Sequence, residues 1–295
     1  MPTKTDRVQI DYCLKFTTLF HCGTGMRMGL VDRTVIRDSE DYLYVPGSTF
    51  KGVLRERCEQ LARFYEDEAG KELVASPHDA EKALRGLGTR PPTMVTRIFG
   101  SHNVPGRLFF DDARLSEEDQ KLYIRARDDE PGGERRVQDA GQKEESAQEA
   151  EQKKDRPANR LDYKGLQVDL YTQVRLDRLT RTSVEGALYT SEFGTRDLTF
   201  NGSVLGWLEC TVIDGLHNER YPDSSPTYSL LLLLAGLRMM ERLGANKSTG
   251  KGQCICDIQA VELNGHRFET EEWTAWLDDL DQLIFYSHGG EGTGV

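Results

Sequence analysis

The stretch that most restricts the fold lies in the C-terminal third. There an apolar run over 227–243 passes through Gly244-Ala245-Asn246-Lys247-Ser248-Thr249-Gly250-Lys251-Gly252 into an alternating segment over 254–263. The run holds Leu230, Leu231, Leu232, Leu233 and Leu234 in unbroken succession. It predicts a strongly apolar helix with Gly244 as its C-cap, and the alternation beyond predicts a strand. Between them, glycines permit positive φ and let backbone N–H groups face one concavity, while Lys247 and Lys251 add charge suited to phosphodiester oxygens. The loop is therefore expected to cradle phosphate around Gly244, Gly250 and Gly252, with an ordinary turn as the alternative. It is not a nucleotide loop. GxxxxGK followed by Ser or Thr needs glycine where Ala245 stands and a hydroxyl where Gly252 stands, and it opens a helix after a strand rather than the reverse.

With 295 residues the chain can bury a full core, and one elaborated domain over 1–295 is expected. The apolar run is too short to span a membrane, and Met1-Pro2-Thr3-Lys4-Thr5-Asp6 has no signal-peptide core. A cytoplasmic location with no membrane partner follows as the expectation. Cys13, Cys22, Cys58, Cys210, Cys254 and Cys256 form no CxxC pair and fall mostly in apolar patterns, which suits buried thiols better than disulfides. Cys254 and Cys256 share one strand face and His21-Cys22 could join them. Structural zinc takes closer ligand pairs, so zinc is not expected. A net charge of −11 argues against indiscriminate coating of nucleic acid. It leaves room for a basic groove, because much of the acid falls after Leu115 and beyond Glu269.

In chain order, Val8, Ile10, Tyr12, Leu14 and Phe16 alternate as a half-buried first strand. A glycine-punctuated loop follows over 21–34 and sets Asp32 among Arg27, Arg33 and Arg37. Asp32 there is either functional or a surface ion-pair partner. Gly47-Ser48 then opens a helix with Phe50, Val53, Leu54, Cys58, Leu61 and Tyr65 at helical spacing and with Lys51, Arg55 and Arg57 near its N-terminal end. The polar segment 66–92 predicts a peripheral helix or two, and a turn at Val104-Pro105-Gly106 leads into a short strand over 107–113.

From 116 to 160 charged, Gln, Ala and Gly residues dominate. Such a composition cannot offset its ordering entropy by burial, so 128–157 reads as a mobile insertion, with a solvated helix over 142–154 as the alternative. Order resumes with alternation at Val168, Leu170, Thr172, Val174 and Leu176, then a projecting hairpin or loop over 178–189. Two strands, 198–200 and 204–213, are expected around the hairpin dipeptide Asn201-Gly202. Trp273, Trp276, Leu277, Leu280 and Ile284 predict a last amphipathic helix, and the glycine-rich tail 287–295 is expected to be disordered. The succession suits an α+β fold, an elaborated βαββαβ ferredoxin-like (RRM-like) domain.

Gly47-Ser48-Thr49-Phe50-Lys51-Gly52-Val53-Leu54-Arg55 resembles the G-S-S/T-x-K-G-x-x-R signature of RAMP-superfamily CRISPR proteins. Further blocks agree in order: Gly29-Leu30-Val31-Asp32-Arg33-Thr34-Val35-Ile36-Arg37-Asp38, Ile98-Phe99-Gly100, Gly106-Arg107-Leu108-Phe109-Phe110-Asp111-Asp112-Ala113, Val174-Arg175-Leu176-Asp177-Arg178 with Gly186-Ala187-Leu188-Tyr189, and the glycine-rich loop. The chain looks most like the repeated backbone subunit of type III CRISPR effector complexes. That resemblance implies a ferredoxin-like palm, a thumb hairpin that interrupts the guide–target duplex, and copies of the chain stacked along a crRNA beside other effector subunits. It also implies cleavage of complementary target RNA.

Asp32 holds the position of the aspartate in cleaving members, so it is the expected catalytic residue and the expected ligand of a divalent cation, Mg2+ or Mn2+. The chemistry implied is attack of a 2′-hydroxyl on its neighbouring phosphate. Arg33, Arg37, Ser48, Lys51, Arg55, Arg178, Arg181, Lys247 and Lys251 are the expected RNA contacts. The alternatives are a non-catalytic scaffold or capping subunit and a guide-processing endonuclease, for which His21 is the histidine near the proposed groove.

Overall fold

In the computed structural model, residues 5–69, 93–128, 167–177, 179–209 and 226–285 are described. The elements in order are β1 (Thr5–Phe16), β2 (Tyr44–Val45), α1 (Gly47–Ala69), α2 (Met94–Phe99), β3 (Leu108–Phe110), β4 (Ala113–Leu115), α3 (Glu117–Asp128), β5 (Val168–Leu176), β6 (Ser183–Gly194), β7 (Thr199–Glu209), α4 (Tyr228–Arg238), β8 (Cys254–Leu263), β9 (His266–Phe268) and α5 (Thr270–Trp276). Short 3-10 segments cover Lys247–Thr249 and Leu277–Phe285. The proposed insertion beyond Asp128, the tail 287–295, Arg178, most of the polar segment 66–92, and Cys210 with the end of the strand expected over 204–213 lie outside the described residues.

β1 alternates as its sequence requires, with Val8, Ile10, Leu14 and Phe16 fully buried on one face. It lies inside a seven-stranded antiparallel sheet of order β2-β4-β7-β1-β8-β9, with β3 also paired to β7. α1 and α4 pack together beneath this sheet. α4 is apolar on every side and is buried from Tyr228 to Leu237, because α1, α2, the Leu277–Phe285 segment, β7 and β8 surround it. Each leucine so covered contributes roughly 1.5–3 kcal/mol of transfer free energy. α4 also comes close to α1: a Cβ at Gly236 would stand 2.5 Å from Cys58 Sγ. No helix among the described residues is long and apolar enough to cross a membrane.

Three local expectations change. α4 stops at Arg238, and Met239 N–H caps the last carbonyls. Gly244 is therefore not its C-cap: the chain leaves the helix because Leu243 N–H donates to Gly252 O at 2.8 Å and Arg242 bridges to Gln253, a ladder that excludes further helix. Asn201-Gly202 is not a turn either. β7 runs straight through it, with Cys13 opposite Asn201 and Tyr12 opposite Gly202, so cross-strand pairing with β1 overrides the local turn propensity. The final helix is divided: α5 carries a capping box from Glu269 and Glu272, then continues past Trp276 as 3-10 turns bent at Asp279.

β5 and β6 form a separate two-stranded sheet, the hairpin expected after the insertion. Leu170, Val174, Leu176, Leu179 and Leu188 are exposed along it. The β6 end that reaches the main body is buried at Ser191, Phe193 and Gly194.

Candidate functional site

The loop that leaves β1 at Phe16 follows the inner end of β6 almost as an extra strand. Phe20 bridges Gly194 and Arg33 bridges Ser191. Glu192 is the fastener: its N–H donates to Arg33 O at 2.8 Å, its carboxylate accepts from Val35 N–H at 3.0 Å, and it lies 3.8 Å from the Arg37 guanidinium. Gly25 and Gly29 take positive φ where the loop reverses.

Asp32 is held by the same strand. Its N–H donates to Thr190 O, and Thr190 N–H donates back to Asp32 Oδ2, both at 2.9 Å. The other oxygen, Oδ1, lies 3.5 Å from Arg27 Nε, with the Asp32 side chain 28% exposed and that of Arg27 80% exposed. One oxygen is thus fixed by the strand, and the other meets an exposed arginine. His21, Met26, Asp32, Arg33, Thr34 and Ala245 line a groove of about 370 Å³.

His21 Nδ1 is 2.8 Å from Glu192 O. A carbonyl only accepts, so Nδ1 carries the proton and Nε2 keeps its lone pair. Burial, aided by the Arg33 charge and opposed by the carbonyl hydrogen bond, pushes the His21 pKa below its ordinary value, which keeps the ring neutral near pH 7. β6 therefore orients both His21 and Asp32. The sequence offered His21 only for zinc or for the guide-processing alternative, and nothing local marked Glu192 as its support or Thr190 as that of Asp32.

The glycine-rich loop closes one side of the groove. Ala245 N–H donates to His21 O at 2.9 Å, and a Cβ on Gly244, at φ 91°, would stand 2.7 Å from that oxygen. Asn246 and Gly250, both left-handed, flank a 3-10 turn. The amides of Thr249, Gly250 and Lys251 bond back within the loop, and Gly252 N–H donates to Leu19 O. Most of the expected cradle amides are therefore committed to holding the loop against the exit of β1. The first turn, at Lys247 and Ser248, is the part left to meet an anion.

The expected cations are held in different ways. Lys251 Nζ lies 4.8 Å from the Tyr171 ring centroid and 5.0 Å from that of Phe193, so it bridges the glycine loop to the base of the hairpin. Lys247 Nζ is 3.4 Å from Glu56 on α1, which brings loop and helix together. Lys51, one turn into α1 beyond exposed Ser48, lies over Phe110 at 5.6 Å, and burial followed by the Arg55 charge lowers its pKa. Arg55 donates to Glu59 at 2.8 Å and to Gly100 O at 3.1 Å, and Arg37 is shared between Asp41 and Glu192. Both arginines have partners within the fold. Arg33 lines the groove, and Arg181 sits at positive φ in the turn between β5 and β6.

The cysteines expected to be buried include Cys22, Cys58, Cys254 and Cys256, whose thiols burial holds well above their ordinary pKa. Cys13 is part-exposed on the other face of β1.

Among curated protein sequences none matches this chain. Many solved chains resemble it in structure, among them two from one type of complex. One is from the type III-B Cmr-beta complex bound to cognate target RNA, solved by cryo-EM, at 12% identity and TM-score 0.45 over 85% of this chain and 96% of that one. The other is from the apo state of type III-B Cmr-beta, at 12% identity and TM-score 0.46 over 85% and 97%. The RAMP superfamily model matches residues 13–255, which takes in the end of β1, the Asp32 loop, α1, the hairpin, α4 and the glycine loop. The chain belongs to the RAMP superfamily.

Proposed function

We propose that this chain is a crRNA-binding backbone subunit of a type III CRISPR effector complex and that it cuts complementary target RNA. The observation that carries the reading is the setting of Asp32, with one oxygen pinned by Thr190 N–H and the other beside exposed Arg27, in a groove at the foot of an exposed hairpin. The strand order supports the scaffold implied. Taking β1, β3 with β4, β7 and β8 as the four principal strands and α1 and α4 as the crossovers gives the βαββαβ order of a ferredoxin-like palm, with β5–β6 as its thumb.

In this reading the guide backbone runs past Ser48, Lys51, Lys247 and Lys251, which read charge and not sequence. The target lies in the groove beside the thumb. His21 Nε2 takes the proton of the attacking 2′-hydroxyl, because the ring is neutral and its tautomer is fixed by Glu192 O. Asp32 Oδ1 is the atom that would hold a divalent cation beside the reacting phosphate, and Arg27 and Arg33 offset charge on the phosphate oxygens. Among the described residues no cluster of three or more His, Cys, Asp or Glu could hold a metal by itself. A single carboxylate fits Mg2+ or Mn2+ where waters and RNA phosphates complete the shell, and a cation so held would neutralise charge developing on the phosphate.

Assembled complex, guide and end-labelled target test this reading directly. Wild type should give divalent-dependent cuts at a regular interval, with cyclic phosphate and 5′-hydroxyl ends. Assembly and target binding without any cut would leave only the scaffolding role.

A further inference from the structure

The loop that carries Asp32 also holds three large apolar side chains out in solvent. Met26, Met28 and Leu30 are 68%, 73% and 96% exposed, whereas Thr34 and Val35, a few positions on, are buried. Exposed apolar residues scattered singly are ordinary, but three at alternate positions beside a groove make a patch.

The backbone under the patch is fixed at three levels. At its base Gly23 bridges Val35, and Thr24 N–H donates to Thr34 O at 3.0 Å. In the middle Met26 N–H donates to Thr24 Oγ1 at 3.0 Å, and Thr34 Oγ1 donates to Met26 O at 3.2 Å. At the tip Met28 and Val31 exchange both backbone hydrogen bonds at 3.0 Å around Gly29 and Leu30, with Gly29 at φ 57°. A slack loop would fold its apolar side chains back onto the body. This one presents them as a preformed ridge, and the entropy of ordering it is met on folding.

The ridge belongs to the Asp32 groove. Met26 lines that groove together with Asp32 and Arg33. Leu30 precedes Asp32 by two residues, so their Cα atoms are at most about 7 Å apart. Successive nucleotides of one strand lie about 3.4 Å apart along a duplex, which limits Leu30 to bases about two steps from the phosphate at Asp32. Arg27, 80% exposed, and Arg33 set guanidinium charge among the aliphatic side chains. A nucleotide has the matching form, an anionic phosphate beside an apolar base face.

We propose that Met26, Met28 and Leu30 are a wedge that enters the target strand beside the bond to be cut and holds the adjoining base out of the stack. This rests on the reading that RNA is cut at Asp32. Attack by a 2′-oxygen needs that oxygen, the phosphorus and the departing 5′-oxygen in line, and a regularly stacked A-form strand holds them out of line. Leucine and methionine side chains inserted between base steps unstack them. The three residues thus position the substrate and take no part in proton transfer. They lie on the Asp32 loop and not on the β5–β6 hairpin, so altering them leaves the hairpin intact.

The test places 2-aminopurine at one position after another of a target RNA whose 2′-O-methyl riboses withhold the nucleophile, bound to the assembled complex. This base is dim when stacked on neighbouring bases and bright against aliphatic side chains. Wild type should show a bright position within about two nucleotides of the cut mapped on unmodified target, and Met28→Ser/Leu30→Ser should lose most of that signal. On unmodified target the same variant should cut about 10²-fold more slowly in single turnover, the loss expected from misplacing the reacting atoms by about 1 Å. Its target Kd and Tm should be unchanged, because phosphate contacts carry binding and the altered side chains are exposed. Met28→Leu/Leu30→Met keeps the apolar bulk and should restore both brightness and rate. A serine variant with wild-type cutting and an unaltered bright position would overturn the wedge, as would a lowered Tm. Its absence from the assembled complex would also overturn the wedge and make the ridge a contact between subunits. If wild type cut nothing and the bright position still depended on Met28 and Leu30, the cutting reading would fail while the ridge stood as a base contact.

Discussion

Replacing Asp32 by asparagine and, separately, by alanine divides what its carboxylate does to RNA from what it holds in the fold. Asparagine can keep an oxygen 2.9 Å from Thr190 N–H but carries no charge, whereas alanine loses both. A hydrogen bond to a charged group contributes about 1.5–3 kcal/mol. Thr190 is only half-buried, so water recovers part of that in Asp32→Ala, leaving a loss of about 1 kcal/mol. The Arg27 pair adds at most a few tenths of a kcal/mol, because Arg27 is 80% exposed. In a chain of this size such a loss lowers Tm by about 2 °C, and Asp32→Asn should lower it by less. Cleavage should behave differently. Both variants remove the charge facing the groove, so both should slow single-turnover cutting by about 10²-fold or more while target binding is retained. The assay is a cleavage ladder from complexes matched for subunit content, with calorimetry and hydrogen exchange at Thr190 on the same preparations. An asparagine variant that cuts at the wild-type rate would refute a chemical role for Asp32 and leave it a strut between loop and thumb.

Lys51→Ala should weaken unrelated guides alike and reduce the salt slope of binding by about 1, whereas Arg55→Ala should act mainly on Tm, because its guanidinium is taken up by Glu59 and Gly100 O; filter binding across salt concentrations separates the two. Lys251→Gln removes the cation over Tyr171 and Phe193 and should cost about 1 kcal/mol and loosen the hairpin base, read as faster amide exchange along 190–194. Gly202→Ala should destabilise by about 1–3 kcal/mol in denaturant unfolding, since the Tyr12 ring it would press on is stacked against Phe50 at 4.0 Å. Because the His21 pKa is lowered on folding, the unfolded chain takes up its proton more readily; that contribution is full above the ordinary value of 6.5 and is lost as the pH falls below it. The fall in Tm between about pH 7 and pH 5.5 should therefore be smaller in His21→Gln than in wild type, and an equal fall would show that His21 is not the group responsible.

The sequence by itself determined the parts that depend on residues near one another. Alternation over Val8, Ile10, Tyr12, Leu14 and Phe16 can bury only one face, and that segment is β1; the alternation over 254–263 is β8 to the residue. The leucine run had to be a covered helix, because no exposed arrangement of it is favourable in water. The same local logic failed at Asn201-Gly202, where the competing partner was β1, about 190 positions away in the chain. It also placed the end of α4 at Gly244, because the ladder that stops the helix is made by Gly252 and Gln253.

For the site, the motif blocks marked Asp32, Lys51 and the glycine loop. Only the tertiary structure decided what each charge meets inside the fold. Arg55 meets Glu59 and Gly100, Arg37 meets Asp41 and Glu192, and Lys251 lies over two aromatic rings of the hairpin. Asp32 meets Thr190 across 158 positions, and His21 meets Glu192 across 171. Such contacts are set by where the folded chain brings a donor and an acceptor within about 3 Å of each other. That distance depends on the packing of the whole sheet and hairpin, and no short window of sequence contains it.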